Sequence, residues 1–234
     1  GAPGCSLRTL VINLDRRADR WANFTRRFSK LQASGFLRTE RLAATDGQAG
    51  VSGDAVGSHW TTDRNARYDG RKGYRPGVAL SMTPGERGCA MSHVRAWREV
   101  AGGGGDLPVL ILEDDAVPAK LFSKRAAAAL AAAPADTDAL YLGYIQGARW
   151  RGTVAPGLHE AEYLWTTVGY VLWPRGARKL LAALPVDEPV DNFMAWQMST
   201  RRFRALAVAP ALVEQELEWD CGSDVPHSDD AVLD

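Results

Sequence analysis

The chain has 234 residues, 46% of them hydrophobic, and its 28 lysines and arginines balance 28 aspartates and glutamates. One domain with a sizeable core is the natural reading, and the charge balance excludes a net field that would draw nucleic acid or an anionic membrane. No apolar run reaches the roughly 18 residues of a membrane span, no cationic-then-apolar leader opens the chain, and Cys5, Cys89 and Cys221 form no disulfide framework, so a soluble chain in a reducing compartment is expected.

Residues 9–14 are a short apolar run that predicts a strand, followed by a helix opening across residues 15–20 and running to about residue 34. Trp21, Phe24, Phe28 and Leu31 recur every three or four residues, an amphipathic stripe that Gly35 ends. Asn13, Asp15 and Arg16 at the strand–helix junction fit a nucleotide-binding edge, and equally a helix start with surface charge. Residues 36–42 predict a second strand and Asp46-Gly47 a turn. Residues 48–80 lose all apolar periodicity and are rich in Gly, Ser, Asp, Asn and Arg, with Trp60, Tyr68 and Tyr74 interspersed. A polar stretch of that length inside a domain reads as a functional lid or as a flexible, disordered insertion.

Thr83-Pro84-Gly85-Glu86 is a helix start, with Thr83 as N-cap, Pro84 at the first helical position and Glu86 closing a capping box. Glu86, Cys89, His93 and Trp97 then share one face of a helix that runs to about residue 101. Cys89 and His93 invite a zinc reading, but no second Cys/His pair stands at ligand spacing, so a partly buried helix facing the site is expected instead. Four glycines lead into Val109-Leu110-Ile111-Leu112, a run that predicts a strand buried on both faces and ends in Glu113-Asp114-Asp115. Three carboxylates at the end of a buried strand need neutralising, and an oxygen-only donor set selects magnesium, manganese or calcium over zinc. In open α/β sheets the ligand crevice lies outside the carboxyl ends of the strands, where this cluster falls.

The rest of the chain predicts an alanine-rich helix over 118–133, a strand at 139–143, an irregular stretch over 144–160, a strand at 166–173 and a helix from Pro174 to about residue 184. A second acidic segment holding Asp187, Glu188 and Asp191 leads into a short helix, followed by a strand at 203–209 and a polar, acidic tail from residue 213. Strands alternating with helices imply an α/β domain with a mostly parallel sheet.

These residues carry a resemblance. Residues 11–17 with Asp19 and Arg20, residues 44–47 (ATDG), residues 80–93 (LSMTPGERGCAMSH), residues 111–115 (ILEDD), Gly169-Tyr170-Val171 with Gly176-Ala177, and Pro189-Val190-Asp191 stand in the order found in glycosyltransferase family 25. Gln215 and residues 223–225 extend the match weakly. The chain resembles that family of lipooligosaccharide and procollagen galactosyltransferases. The resemblance implies a single GT-A-type α/β domain over residues 1–234, with a Rossmann-like sheet flanked by helices and a tail, residues 213–234, near the site. It implies transfer of a hexose, usually galactose, from a UDP-sugar with inversion, to a glycan, lipid-linked glycan or protein acceptor. It also implies a divalent metal, manganese or else magnesium, and a cytoplasmic enzyme with peripheral attachment at the inner membrane as the alternative placement.

On that basis Asp115 with Glu113 or Asp114 is expected to hold the metal, with Asp224 or His227 as a further ligand. Asn13, Asp15, Arg16, Asp46 and Asp114 are expected at the nucleotide, and Glu86 and His93 near the donor sugar or its phosphates. Asp191 is expected to be the base that takes the acceptor proton, ahead of Asp187 and Glu188. Two rival readings use the same residues: a metal-dependent nucleotide phosphohydrolase and a non-catalytic sugar-nucleotide or glycan binding module.

Overall fold

The computed structural model describes residues 6–216 and 225–233. Strand β1 (Leu7–Asn13) is buried along almost its whole length. Helix α1 (Ala18–Ala33) follows and packs Phe24 and Phe28, stacked 4.3 Å apart, onto one face of the sheet. Strand β2 (Leu37–Ala43) pairs parallel with β1. The insertion then folds rather than staying irregular: β3 (His59–Thr61) and β4 (Ala79–Ser81) make a small antiparallel pair around the buried Trp60.

Helix α2 (Pro84–Gly102) opens on the capping box as expected. The Glu86 amide donates to Thr83 Oγ1 at 3.1 Å, and Glu86 Oε2 accepts the Thr83 amide at 2.7 Å. Next come β5 (Val109–Glu113), β6 (Ala116–Pro118), α3 (Phe122–Ala132), β7 (Ala139–Gln146) and the hairpin of β8 (Gly152–Ala155) with β9 (Leu158–Glu160). The chain closes with β10 (Leu164–Leu172), α4 (Pro174–Ala182), α5 (Val190–Ser199), β11 (Ala205–Val208) and β12 (Val213–Gln215), which pairs with β6.

The eight-stranded sheet runs β2-β1-β5-β10-β7-β11-β9-β8. The α/β class stands, and within it the sheet is mixed. β2, β1 and β5 are parallel, whereas β10 is antiparallel to both of its neighbours. Helices cover both faces: Ile111 of β5 lies in the core formed with α2, α4 and α5, and Leu110 and Leu112 lie in the core formed with α1 and α3. That two-sided burial is why β5 reads as an unbroken apolar run, and Leu110, Ile111 and Leu112 are fully buried. Among the described residues no helix is long and apolar enough to cross a membrane.

One close approach shapes the crevice. A Cβ on Gly88 of α2 would meet the Gly47 amide and the Thr45 carbonyl oxygen, each at 2.7 Å, so the loop after β2 lies directly on the helix. Ser92 fastens it there, its hydroxyl accepting the Thr45 amide at 2.8 Å and donating to the Gly88 carbonyl at 2.7 Å. Gly88→Ala forces two backbones apart and is expected to destabilise the fold by about 1–3 kcal/mol, the usual range for overpacking. Chemical denaturation checks it: a midpoint equal to wild type would show that the loop can retreat freely.

Candidate active site

β2, β1 and β5 end side by side, and outside their carboxyl ends lies a cavity of about 710 Å³. That is the crevice open α/β sheets reserve for ligands, at a volume typical of small-molecule sites. Of the twelve residues expected at the site, ten line it: Asn13, Arg16, Asp46, Glu86, His93, Glu113, Asp114, Asp115, Asp191 and His227. Asp15 does not; it stands exposed beside the rim, paired with Arg41 at 2.7 Å. Asp224 lies outside the described residues.

The three carboxylates at the end of β5 have different surroundings. Asp114 is enclosed: Oδ2 accepts the Asn13 amide at 2.7 Å and Oδ1 accepts Arg20 at 3.1 Å. Asn13 is itself held on three sides, by Asp114, by the Arg17 carbonyl at 3.0 Å and by Arg41 at 2.7 Å. This pair ties β1, α1 and β5 together at the floor of the cavity.

Glu113 Oε1 accepts the Thr167 hydroxyl at 2.6 Å and faces His93 Nε2 at 3.3 Å. Burial works to raise its proton affinity, but His93 and Thr167 outweigh it and hold the carboxyl below its usual range. Asp115 goes the other way. Burial first, then the nearby charge of Glu113, push it up to about 7. The nearby charge of Glu113 makes a second negative charge at Asp115 costly, which adds to the burial that favours its protonated form. Asp115 Oδ2 accepts the Gln215 amide at 3.0 Å, while Oδ1 is buried and has no hydrogen-bond partner among the described residues.

Asp191, also in the cavity lining, occupies the first turn of α5, whose N-cap is Pro189. It therefore does not cap that helix. Its Oδ1 accepts the Asn192 amide at 2.9 Å and its Oδ2 the Thr166 amide at 3.3 Å. Burial raises its proton affinity against the pull of those amides and of His227. Thr166 adopts a φ of 68°, a left-handed conformation that β-branched residues rarely take. It sits in an irregularity of β10 between Trp165 and Gly169, which turns its amide onto Asp191 and the Thr167 hydroxyl onto Glu113. Strain of this kind gathers at functional sites.

Tail residues Val225, His227, Asp229 and Asp230 line the cavity, and this segment is fastened by the insertion and by α2. Glu86 Oε1 accepts both the amide and the hydroxyl of Ser228 at 2.9 Å, so each of its carboxylate oxygens has a protein partner. Trp60 donates to Ser228 Oγ at 2.9 Å, and Arg71 holds Asp229 at 2.6 Å. His93 Nδ1 meets the Tyr170 hydroxyl at 2.8 Å, deep in the core. At the rim, Arg16 pairs with Asp46 at 2.8 Å.

Sequence reasoning missed Thr167, Arg71 and the third neighbour of the Cys89–His93 pair, which is Glu113. Consecutive threonines inside an apolar strand were the available signal for Thr167; nothing local marked the others.

Residues 7–155 match the sequence profile of glycosyltransferase family 25, described as an LPS biosynthesis protein family, and the chain belongs to that family. It is 30% identical over 228 residues to procollagen galactosyltransferase 1 of Danio rerio, covering 87% of this chain and 35% of that protein. It is also 30% identical over 249 residues to the inactive glycosyltransferase 25 family member 3 of Homo sapiens, covering 94% of this chain and 40% of that one. A glycosyltransferase 25 family member of Drosophila pseudoobscura pseudoobscura is 34% identical over 196 residues, 79% of this chain and 29% of that protein. The chain thus spans between 29 and 40% of the length of these relatives.

Proposed function

We propose that the chain is a metal-dependent, inverting glycosyltransferase that moves a hexose, galactose, from a UDP-sugar to a hydroxyl of a glycan or lipooligosaccharide acceptor. The observation that carries the reading is Asp115 Oδ1, a buried carboxylate oxygen with no hydrogen-bond partner among the described residues, in a cavity that Glu113 and Asp191 also line. An orphaned anionic oxygen in an oxygen-lined pocket fits a hard divalent cation, manganese or magnesium. Glu113 and Asp115 would hold it, with His227 and Asp224 from the tail as further ligands. When bound, such an ion supplies Lewis-acid stabilisation of the charge on a departing diphosphate.

The chain's own residues do the rest. Arg16 and Asp46 border the nucleotide at the rim, with Asp15 beside them, while Asn13 and Asp114 hold the floor on which it rests. His93 and Glu86 shape the wall next to the donor sugar. Inversion is a single displacement: the acceptor oxygen bonds the anomeric carbon, the bond to the diphosphate breaks with its electron pair, and the acceptor proton goes to a carboxylate. Asp191 has that role in this reading. Its two amide contacts fix its orientation, and its raised proton affinity brings a carboxylate closer to neutral working pH.

The same proposal takes residues 1–234 as one domain, 48–80 as a lid and the tail from 213 as part of the site; the grip of Trp60 and Arg71 on Ser228 and Asp229 supports it. It also places the chain in the cytoplasm, with peripheral attachment to a membrane where a lipid-linked acceptor requires it. Similarity to procollagen galactosyltransferase 1 favours a protein hydroxyl as the alternative acceptor, and similarity to an inactive family member favours sugar-nucleotide binding without turnover.

A panel of UDP-sugars, each with sugar and hydroxylysine acceptors and with manganese or chelator, separates these readings. Galactose transfer that requires manganese is the expected result. UDP binding without transfer from any donor would establish the non-catalytic reading, and donor cleavage faster without an acceptor than with one would establish a hydrolase.

A further inference from the structure

The helix α2 carries Cys89 and His93 one turn apart, and the end of β5 brings Glu113 to them. The thiol sulfur, a ring nitrogen and a carboxylate oxygen of these three residues all lie within 4.8 Å of one another at the cavity wall. The spacing matches zinc. Two ligands at about 2.0 Å from a tetrahedral ion stand roughly 3.3 Å apart, and His93 Nε2 and Glu113 Oε1 are 3.3 Å apart. A sulfur at about 2.3 Å would stand roughly 3.6 Å from either, so the thiol closes on the order of 1 Å, within reach of a side-chain adjustment. The Tyr170 hydroxyl on Nδ1 and the Thr167 hydroxyl on Oε1 are the outer contacts that orient a metal-binding histidine and carboxylate.

We propose that Cys89, His93 and Glu113 form a site for a thiophilic divalent cation, zinc by its ligand chemistry, with the fourth position open to the cavity. Sulfur and imidazole select zinc over manganese, so this site is chemically distinct from the oxygen pair at Asp115. Binding replaces the thiol proton, which is released to solvent, and takes the imidazole as the neutral ring with Nε2 bare. Because Glu113 belongs to both sites, zinc held here withdraws a carboxylate from the oxygen cluster.

Cobalt(II) titrated into the full chain reads the site without any turnover, so its outcome is independent of the glycosyltransferase reading. A thiolate-to-cobalt absorption band is expected, bleached by one equivalent of zinc. Cys89→Ser should abolish the band, and His93→Gln should weaken zinc binding by more than the roughly 10–100-fold that outer contacts contribute. The melting temperature of each variant verifies that it is folded. Cobalt binding without a thiolate band in the wild type, or a band that survives in folded Cys89→Ser, would overturn the proposal.

Discussion

Asp115→Asn is expected to fold and to lose metal-dependent transfer by about a thousandfold or more. The metal contribution it removes is several kcal/mol of charge stabilisation in the transition state, and about 1.4 kcal/mol is a factor of ten. The fold survives because Asn keeps an acceptor for Gln215 and removes a buried charge whose Oδ1 has no hydrogen-bond partner among the described residues. The pH dependence has a definite sign. Burial and the Glu113 charge raise the folded-state value to about 7, above the ordinary value of 3.8, so ionisation of Asp115 disfavours the metal-free folded state. Below the ordinary value both states are protonated and the group has no effect. As pH rises from about 4 to 7 the metal-free wild type loses stability relative to the Asn variant, and above 7 the loss is complete. Manganese, which binds only the ionised form, reverses it, so metal affinity should climb over the same interval. Melting curves at pH 5 and 8, with manganese and with chelator, check this alongside the transfer rate. Unchanged turnover in the variant, or full wild-type activity in chelator, would remove Asp115 from the metal site.

Asp191→Asn should slow transfer by roughly 100-fold or more, the usual size of general-base catalysis. Its effect on stability should stay near 1 kcal/mol: one amide contact survives, and the Thr166 amide faces either a carbonyl oxygen or an amide nitrogen. UDP affinity should hold, since in this reading Asp191 meets the acceptor hydroxyl and not the nucleotide. A folded variant transferring sugar at near wild-type rate would reject it as the base. The alternatives are poorly placed for that work. Asp187 and Glu188 both bond Arg64, at 2.9 and 2.6 Å, and line a separate pocket near Trp60.

What was legible in the sequence was local or doubly buried. The capping box at Thr83–Glu86 needs only four residues, and both of its hydrogen bonds form. The run Val109 to Leu112 announced a strand covered on both faces, and therefore a crevice beyond its end. The strands β3, β4, β8 and β9 were not legible, because three or four residues are too short to show an alternation. Nor was the direction of β10: a fully buried strand reads the same parallel or antiparallel. At the site, position along the chain found the carboxylates, but partners came from afar. Cys89 and His93 lacked a third ligand by spacing because Glu113 reaches them from the neighbouring strand, and Asp191 resembled a helix cap until Pro189 proved to hold that position.

The insertion of β10 between β5 and β7 has a consequence for how the chain acquires its structure. Thr9 pairs with Leu110, and Leu110 pairs with Val171, so the middle of the sheet closes only after most of the polypeptide is available. Any fragment ending at residue 155, where the family match stops, leaves β5 as an exposed apolar edge, a template for intermolecular pairing. Non-local pairing of this kind folds slowly. During synthesis on the ribosome β1 and β2 can meet early, but the pocket walls from β1, β5, β10 and α5 can come together only once the chain through α5 has emerged. Chaperone demand should therefore peak while residues 109–172 are still emerging.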